Sequence, residues 1–181
     1  MEISTDPEAE KEAVILGVKI LSAEIIYHLF DDFTKYIHEY NEEKKRSKSA
    51  QAVFPCELSV LSQYIFNKKD PIIIGVKVDA GILKVGTPLV VPEKEFLFLG
   101  TVHSLEHNNK NVEKATKGQE ICLKISGDPH IMYGRHFDNK NKIYSRVSRD
   151  SIDCLKEHFR DEISKDDWKL MVQLKKVFSI L

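Results

Sequence analysis

The sequence predicts a mixed α and β protein in which a long helix leads into a closed β-barrel that is followed by two helices. Two changes in the apolar pattern support this prediction. Apolar residues recur at helical spacing as far as Tyr40, whereas from Ala52 they alternate or run in short β-branched stretches between glycine and proline turns. After Arg149 the helical spacing returns. The 181 residues are enough for one full domain and a smaller piece.

The first 21 residues have the pattern of a helix followed by a short strand. Asp6 is placed to cap the helix, Pro7 suits its first turn, and Gly17 is placed to end it. The apolar run at residues 18–21 is the strand candidate. A helix and a strand of this size cannot bury their own apolar faces. We therefore interpret residues 1–21 as the remnant of an α/β unit of a larger protein.

Residues 22–50 are predicted to form one long connecting helix. Ser22 is its candidate N-cap. An apolar stripe recurs every four residues at Ile25, Leu29, Phe33 and Ile37. From Asn41 onward the residues favour a helix but present no apolar face. A helix that packs along its first half and is solvated along its second is typical of a spacer.

Residues 51–149 carry the β pattern, and residues 150–181 return to helix. Five or six short strands are separated by turns at Gly81, Gly86, Gly100 and Gly118, which is typical of a closed barrel. Asp150 is the candidate cap of the first C-terminal helix. Ser164 and Asp167 have the spacing of a capping box at the start of the second. We expect this helical pair to pack on the barrel.

The composition limits the classes of function. The chain has 27 Lys and Arg against 28 Asp and Glu, a net charge of −1, which does not favour strong and indiscriminate nucleic-acid binding. No apolar run reaches the roughly 18 residues that a membrane span requires. Cys56, Cys122 and Cys154 are odd in number and widely spaced. They argue against a disulfide framework and for a reducing compartment, which we take to be the cytoplasm.

The sequence predicts no catalytic residue, no metal site and no nucleotide site in this chain. A phosphate-binding loop of the P-loop type is absent. Residues 67–70 match the Asn-Lys-x-Asp pattern with which GTPases bind guanine, but without such a loop we interpret them as a turn. His103 and His107 are four residues apart in a segment with the pattern of a strand that runs into a turn. No Cys-x-x-Cys pair accompanies them.

Two segments are candidates for binding. Residues 134–149 carry five Lys or Arg and one Asp, with aromatic residues between them. They form either a solvated hairpin or a nucleic-acid contact in which cations bind phosphate and aromatic rings stack on bases. The last helix carries Lys165 and Lys169 beside Trp168. This helix either packs on the barrel with one face wet, or offers a groove to an acidic, apolar peptide.

The order of short motifs along the chain resembles the C-terminal part of the eukaryotic translation initiation factor 5B family, which is homologous to bacterial initiation factor 2. The similar segments are residues 16–31, 54–56, 66–76, 81–89, 100–105 and 164–168. The resemblance implies that residues 1–21 are the end of an α/β/α domain III. It implies that residues 51–149 form domain IV, a translational-GTPase-type barrel. The match extends over nearly the whole chain.

The resemblance also implies a function. Members of this family are ribosome-dependent GTPases that promote ribosomal subunit joining, with GTP and magnesium bound outside the region seen here. This chain is therefore expected to be a monomer without enzymatic activity or cofactor. Its implied partners are initiator methionyl-tRNA, the C-terminal tail of initiation factor 1A, and the ribosome. The alternative is a protein-interaction barrel that contacts only ribosomal or factor proteins and has no tRNA site.

The resemblance carries the family's binding sites to particular residues. The aminoacyl pocket of the bacterial relatives corresponds by motif position to Val76, His107, Asn109, Glu120 and Cys122. Contacts to tRNA phosphates are expected from Arg135, Lys140 and Lys142 in the basic segment. The factor tail is expected on the C-terminal helical pair, at Leu155, Phe159, Lys165, Trp168 and Lys169.

Overall fold

The computed structural model describes residues 6–49 and 51–180. The chain divides into two compact units, and the boundary between them lies between Ser47 and Lys48. The first unit is helical, and the second carries the β-sheet and two further helices. None of the helices in the described ranges is both long enough and apolar enough to cross a membrane.

The first unit begins with helix α1 (Pro7–Leu16), which is followed by the long helix α2 (Ile26–Lys48). The predicted caps of α1 are confirmed. The side chain of Asp6 accepts a hydrogen bond of 3.1 Å from the backbone N–H two residues later. Gly17 ends the helix with a φ of 67°, a left-handed conformation that glycine adopts without strain.

The segment between the two helices differs from its prediction. Residues 18–21 form no strand and have no β partner among the described residues. A strand needs a neighbouring strand to satisfy its backbone groups. The N–H of Val18 instead donates to the carbonyl of Ala13 at 2.8 Å and completes the last turn of α1.

The long helix starts later than predicted. The carbonyl of Ile25, not that of Ser22, accepts its first helical hydrogen bond. The second half of α2 remains helical to Lys48 without an apolar face, as its residue types predict. Neither α1 nor α2 contains a buried residue, so the apolar stripe of α2 is largely exposed.

The second unit has eight antiparallel strands within the described residues. They are β1 (Cys56–Asn67), β2 (Ile72–Lys84), β3 (Pro88–Val91), β4 (Leu97–His107), β5 (Lys110–Val112), β6 (Lys114–Thr116), β7 (Glu120–Ser126) and β8 (Lys142–Ser145). Six of them pair in the cyclic order β1, β8, β3, β4, β7, β2 and back to β1. Strand β5 pairs with β4, and β6 pairs with β2. This ring is the closed barrel that the sequence predicts.

The barrel interior is filled by alternate residues of each strand. In β7 the side chains of Ile121, Leu123 and Ile125 are buried, whereas those between them point away from the interior. Neighbouring strands contribute the rest of this core, which includes Leu58, Ile74, Val76, Leu89, Leu105 and Ile143. Because each strand has one inward face, the outward face is free to carry a binding site.

Two helices follow the barrel, as predicted, and they lie beside it. Helix α3 (Arg149–His158) is capped by Ser148 and not by Asp150, since the Ser148 hydroxyl accepts the N–H of Ser151 at 3.2 Å. Helix α4 (Lys165–Val177) begins at the predicted capping box of Ser164 and Asp167. Short 3-10 turns lie at Pro92–Lys94 and Arg160–Glu162.

A second core joins these helices to the barrel unit. Its buried members include Phe54, Val147, Ile152, Leu155, Phe159, Leu170, Met171 and Leu174. The rings of Phe54 and Phe159 meet edge to face with centroids 5.7 Å apart. The ammonium of Lys84 lies 3.7 Å from the centre of the Phe54 ring. The helical pair is therefore attached to the barrel by its apolar side.

Candidate functional site

A cavity of about 230 Å³ lies on the outer face of the barrel. It crosses four adjacent strands along a row formed by Glu106 in β4, Cys122 in β7, Gly75 in β2 and Tyr64 in β1. The strand registers pair Glu106 with Cys122, and Cys122 with Gly75. Leu105 and other sequence neighbours of this row point into the barrel. The row therefore faces outward, where a ligand can reach it.

An irregularity in β1 builds the apolar wall of the cavity. Val60 pairs with Val76 and Ile65 pairs with Ile74, so β1 advances five residues while β2 advances only two. The additional residues form a bulge, a device that redirects side chains out of the regular pleat. The apolar and aromatic side chains brought to the cavity by this part of β1 are Leu61, Tyr64 and Phe66.

Gly75 leaves the space into which Tyr64 packs. A Cβ atom added to Gly75 would lie 2.5 Å from the Cβ of Tyr64, which is far inside van der Waals contact. Gly75 is not one of the glycines with a positive φ. Glycine is therefore required at this position by the close approach of Tyr64 and not by the backbone conformation.

A tight turn closes the other side of the cavity. Asn108 and Asn109 connect β4 to β5 with φ values of 51° and 60°, the two positive values of a type I′ hairpin turn. His107 holds this turn against β7, because its Nδ1 donates to the carbonyl of Glu120 at 2.9 Å. Its Nε2 then accepts from the amide of Asn108 at 3.2 Å.

The charged part of the cavity lining is acidic. Glu106 and Glu120 contribute carboxylates, and none of the described lining residues is Lys, Arg or His. Burial and the nearby charge of Glu106 raise the pKa of the Cys122 thiol, so this thiol remains protonated and neutral at pH 7. Lys77 lies opposite Glu120 in the strand register but does not line the cavity. The cavity thus combines an apolar wall with negative charge.

The structure brings together three of the five residues that the resemblance assigned to an aminoacyl pocket. Asn109, Glu120 and Cys122 line the same cavity. His107 supports the cavity through its hydrogen bonds without lining it. Val76 requires a correction, because its side chain is fully buried inside the barrel and its neighbour Gly75 lines the cavity instead.

Sequence reasoning missed the wall and one carboxylate of the cavity, formed by Leu61, Tyr64, Phe66 and Glu106. One signal for the bulge is present in the sequence. The alternation of buried residues in β1 stops after Val60, where Ser62, Gln63 and Tyr64 interrupt the apolar pattern. Such a break favours a bulge, although it does not indicate the strand against which the bulge packs.

The basic segment is not a hairpin. Its strand β8 lies between β1 and β3 and closes the barrel. Arg135 and Lys140 are exposed, as a phosphate contact requires. The ammonium of Lys142 is instead paired with Asp79 and with Glu57, the latter at 3.4 Å. Lys142 thus supports the barrel, which corrects its assignment as an open phosphate contact.

The pKa values of this ion pair reflect its geometry. Partial burial opposes the charge of Lys142, but the hydrogen bond and attraction to Asp79 outweigh it and raise the pKa of Lys142 above its ordinary value. Partial burial likewise opposes the charge of Asp79, but hydrogen bonds from Lys142 and Ser59 outweigh it and lower the pKa of Asp79. Both groups therefore remain charged near neutral pH.

The Asn-Lys-x-Asp segment forms a turn, as predicted. The side-chain amide of Asn67 donates to the carbonyl of Pro71 at 2.9 Å, and the carboxylate of Asp70 accepts the N–H of Gly127 at 3.0 Å. The polar groups of Asn67 and Asp70 that would bind guanine thus already have partners, in the turn and in the segment after β7 respectively. Its Lys68 carbonyl accepts the N–H of Tyr133 at 3.0 Å, which brings the turn close to the loop that carries Arg135.

A second hollow, of about 660 Å³, lies between β3, β4, the start of α3 and the residues that end α4. We call it the terminal groove, and its apolar lining consists of Val90, Phe96, Phe98, Val147, Val177, Phe178 and Ile180. Arg146 and Arg149 line it as well. The rings of Phe96 and Phe178 are 5.8 Å apart, and the guanidinium of Arg146 lies 5.7 Å from the Phe98 ring. The groove is therefore apolar with basic side chains at its margin.

The residues assigned to a factor tail do not line this groove. Leu155 and Phe159 are 0% and 5% exposed and belong to the second core, so a peptide could not contact them on an intact surface. Trp168 is partly buried against the same core. Lys165 and Lys169 are exposed, and Lys169 pairs with a neighbouring aspartate at 3.0 Å. A sequence stripe identifies an apolar helix face but does not indicate what covers it.

Comparisons with known proteins agree on one group of relatives. Residues 54–144 match the family described as elongation factor Tu domain 4. Eukaryotic translation initiation factor 5B of Homo sapiens is 51% identical over 183 residues, which cover 99% of this chain and 15% of that protein. The same factor of Saccharomyces cerevisiae is 42% identical over 192 residues, with 99% and 19% covered.

A solved structure supports the same grouping. GDP-bound aIF5B from Aeropyrum pernix matches with a TM-score of 0.63 and 27% identity, over 98% of this chain and 29% of that chain. The chain spans about 15% of the length of the human relative. Among the described residues, no cluster of three or more His, Cys, Asp or Glu side chains could hold a metal ion. The outer cavity and the terminal groove are both candidate binding sites of the barrel unit.

Proposed function

The chain belongs to the elongation factor Tu domain 4 family, and on that premise we propose that it holds the methionylated acceptor end of initiator tRNA in the outer cavity of its barrel during translation initiation. The observation that carries the proposal is the outer cavity itself. Its volume of about 230 Å³ is smaller than a typical drug-sized pocket and suits a single amino-acid side chain. Its wall of Leu61, Tyr64 and Phe66 suits an unbranched thioether, which adapts to irregular apolar surfaces.

The phosphates of the acceptor stem would be bound by exposed cations outside the cavity. Lys68, Lys69, Arg135 and Lys140 are exposed, and the turn of Lys68 and Lys69 lies close to the loop of Arg135. These contacts supply an attraction that depends on salt and is blind to sequence. The cavity supplies discrimination for the amino acid. Lys142 takes no part in this attraction because its charge is matched by Asp79 and Glu57.

The remaining properties of the longer relatives belong to the same proposal. We assign GTP and magnesium binding, and the hydrolysis that promotes subunit joining, to regions outside this chain. The chain itself would act as a monomeric, non-enzymatic binding region on the ribosome in the cytoplasm. The hydrogen bonds of Asn67 to Pro71 and of Gly127 to Asp70 support the absence of guanine binding, because they occupy polar groups that would contact the base.

A second binding function is favoured by the terminal groove. We propose that it receives the acidic, apolar C-terminal tail of initiation factor 1A. The exposed rings of Phe96 and Phe98, with the partly buried ring of Phe178, offer an aromatic surface for apolar side chains. Arg146 at its margin offers positive charge to acidic residues of the tail. The proposed site for the tail is therefore the end of α4 and not the buried stripe of Leu155.

Titration with methionylated and deacylated initiator tRNA at one salt concentration tests the main proposal. Burying a methionine side chain contributes roughly 1.5–3 kcal/mol, so the methionylated form should bind about tenfold more tightly or better. Equal affinities would favour the alternative of a barrel that contacts only ribosomal or factor proteins.

A matched pair of variants tests whether the preference for methionylated tRNA arises at the outer cavity. Phe66→Ala should reduce the preference for methionylated tRNA, because Phe66 forms part of the cavity wall. Phe30→Ala should leave the preference unchanged, since Phe30 lies in the first unit and is exposed to a similar degree, 69% against 66% for Phe66. A preference that survives Phe66→Ala and is lost in Phe30→Ala would place the aminoacyl group elsewhere.

A further inference from the structure

The segment that joins α2 to the barrel contains a pattern that the proposed function does not use. Lys45 and Arg46 precede Ser49 by four and three residues, an arrangement that basic-directed protein kinases recognise on the N-terminal side of a serine. Ser49 follows the end of α2 at Lys48, lies in a turn and is exposed. A kinase binds its substrate in an extended form, so a serine outside a helix is reached with little local unfolding.

The turn holds Ser49 beside a hollow in the barrel unit. The carbonyl of Lys48 accepts the N–H of Gln51 at 3.0 Å and that of Ala52 at 3.2 Å. The chain then enters the second core at Phe54, which is 1% exposed. The hollow has a volume of about 1020 Å³, and we call it the junction hollow. Its charged and hydroxyl-bearing lining includes Ser49, Lys84, Thr87, Glu113 and Lys114.

The two lysines of the junction hollow form a like-charge pair across adjacent strands. Lys84 in β2 lies directly opposite Lys114 in β6. The neighbouring pair, Leu83 and Ala115, is buried, so the two lysines lie on the outward face of these strands. Lys84 is paired with Glu162 at 3.2 Å, whereas Lys114 forms no ion pair within the described residues. Because like charges opposite one another are destabilising, this position favours an anion.

We propose that Ser49 is a phosphorylation site and that its phosphate is bound in the junction hollow by Lys114 and Lys84. The reaction transfers the γ-phosphoryl group of ATP. A bond forms between the Ser49 Oγ and the γ-phosphorus, the bond to the β–γ bridging oxygen breaks, ADP leaves, and the hydroxyl proton passes to a base of the kinase. Phosphoserine carries a charge of about −1.5 to −2 and three acceptor oxygens. The inference goes beyond the proposed function and does not depend on it.

Two features oppose the bound phosphate, and both are weaker than the contacts that favour it. The negative end of the α2 dipole disfavours an anion by about two- to fivefold in the equilibrium constant. A charge-assisted hydrogen bond contributes about tenfold or more. The carboxylate of Glu113 also lines the hollow, against two ammonium groups. Phosphorylation would therefore fasten the turn after α2 to strands β2 and β6.

Phosphorylation of the intact chain by the catalytic subunit of cyclic-AMP-dependent protein kinase, with ATP and magnesium, tests the site of modification. We expect one phosphate per chain, located at Ser49 by tandem mass spectrometry. Ser49→Ala should abolish this incorporation. Ser47→Ala is the matched control, since Ser47 is also exposed, and it should leave incorporation unchanged. Phosphate on Ser47 instead, or no phosphate on Ser49, would overturn the proposal.

Phosphorus-31 NMR of the phosphorylated chain tests the binding of the phosphate. The second ionisation of phosphoserine has a pKa of about 6. We expect it to lie about half a pH unit lower in the chain than in a phosphopeptide of residues 44–54, because the ammonium groups of the hollow favour the dianion. Lys114→Gln should return the value toward that of the peptide, and Glu113→Gln should lower it further.

Lys117→Gln is the control for the lysine variant. Lys117 is exposed and does not line the junction hollow, so its removal should leave the phosphate pKa lowered. Equal pKa values in the chain and the peptide would show that the phosphate is not bound in the hollow. Equal effects of Lys114→Gln and Lys117→Gln would show an effect of net charge alone. Either result would overturn the proposal.

Discussion

The outer cavity and the terminal groove lie on the same barrel unit and have opposite chemical character. Both have apolar and aromatic surfaces. The cavity adds the carboxylates of Glu106 and Glu120, whereas the groove adds the guanidinium of Arg146, beside an Arg149 that is paired with Asp153 at 3.1 Å. An overall charge of −1 conceals this separation. The two sites can therefore accept ligands of opposite charge without competing for them.

The two sites also differ in how the fold makes them. The cavity depends on one bulge in β1 and on the absence of a side chain at Gly75, so it is a feature of the barrel wall. The groove depends on the packing of chain that follows α4, where Phe178 and Ile180 lie against barrel residues. We therefore expect substitutions in the barrel wall to act on the cavity alone, and substitutions near the C-terminus to act on the groove alone.

The largest expected effect is on the free energy of unfolding, and it tests whether Leu155 belongs to the protein core or to a binding surface. Leu155→Ala should lower the free energy of unfolding by about 2–5 kcal/mol, because it removes a fully buried side chain and leaves a cavity. Lys165→Ala on the exposed face should change it by less than about 0.5 kcal/mol. Urea titration measures both. A Leu155→Ala variant of unchanged stability that fails to bind an acidic peptide would return Leu155 to the binding surface.

The next effect tests the cavity. Gly75→Ala should displace Tyr64 and lower the free energy of unfolding by about 1–3 kcal/mol, as overpacking does. It should also abolish the preference for methionylated tRNA and leave binding of an acidic peptide in the groove intact. The two measurements are a tRNA titration and a peptide titration on the same preparation.

A double variant separates the steric effect from a general loss of structure. Tyr64→Gly with Gly75→Ala removes both the Cβ and the ring that the new methyl group would meet. We expect the double variant to be about as stable as Tyr64→Gly alone, and to lack the preference for methionylated tRNA. If the preference persists in Gly75→Ala, the aminoacyl group lies outside the cavity.

A smaller effect is expected in the groove. Phe178→Ala should weaken the binding of an acidic, apolar peptide by more than about 1 kcal/mol, because it removes an aromatic contact at the groove. Val172→Ala, on an exposed position of α4, is the control and should have little effect. Preference for methionylated tRNA should be the same in both variants. Loss of that preference in Phe178→Ala would show that the two sites are coupled.

The smallest expected effect concerns the ion pair between Lys142 and Asp79, for which we exclude Lys142 from the cations proposed to bind tRNA phosphates. Asp79→Asn should lower the free energy of unfolding near pH 7 by about 1 kcal/mol or less, since the pair is partly exposed. The folded-state pKa of Asp79 is lowered, so its contribution is present above the ordinary pKa of about 3.9 and is lost as pH falls through the folded-state pKa.

The pKa of Lys142 is raised, so its contribution is present below about pH 10 and is lost as pH rises through its folded-state pKa. Urea unfolding of the parent chain and of Asp79→Asn between about pH 3 and 7 measures the difference. The difference should shrink toward the acid end. A difference that grows as pH falls would contradict the assigned ion pair.

Periodicity and turn chemistry were sufficient for most of the fold. The alternation in β7 and the glycine turns predict a closed barrel, and the spacing of Ser164 and Asp167 predicts the capping box of α4. The strand predicted at residues 18–21 is absent, because a short apolar run forms a strand only where another strand satisfies its backbone. The local sequence pattern does not show whether such a partner strand is present.

Only part of the outer cavity was predicted from the sequence, and the reason is related. Glu120 and Cys122 alternate with buried residues of β7, so their outward position follows from the sequence. The wall at Tyr64 depends on how β1 slips against β2, and strand register is a tertiary property. Leu155 was assigned to a surface because a helix stripe looks the same whether the covering partner is a ligand or the protein itself.

Amide chemical-shift mapping tests the central claim most directly. Spectra of the isotopically labelled chain with methionylated and with deacylated initiator tRNA are compared at one salt concentration, so that the phosphate contacts cancel. We expect the differences to centre on Tyr64, Gly75, Asn109 and Cys122, with no difference at Phe178. Differences confined to the terminal groove, or no differences between the two complexes, would contradict the assignment of the outer cavity to the aminoacyl group.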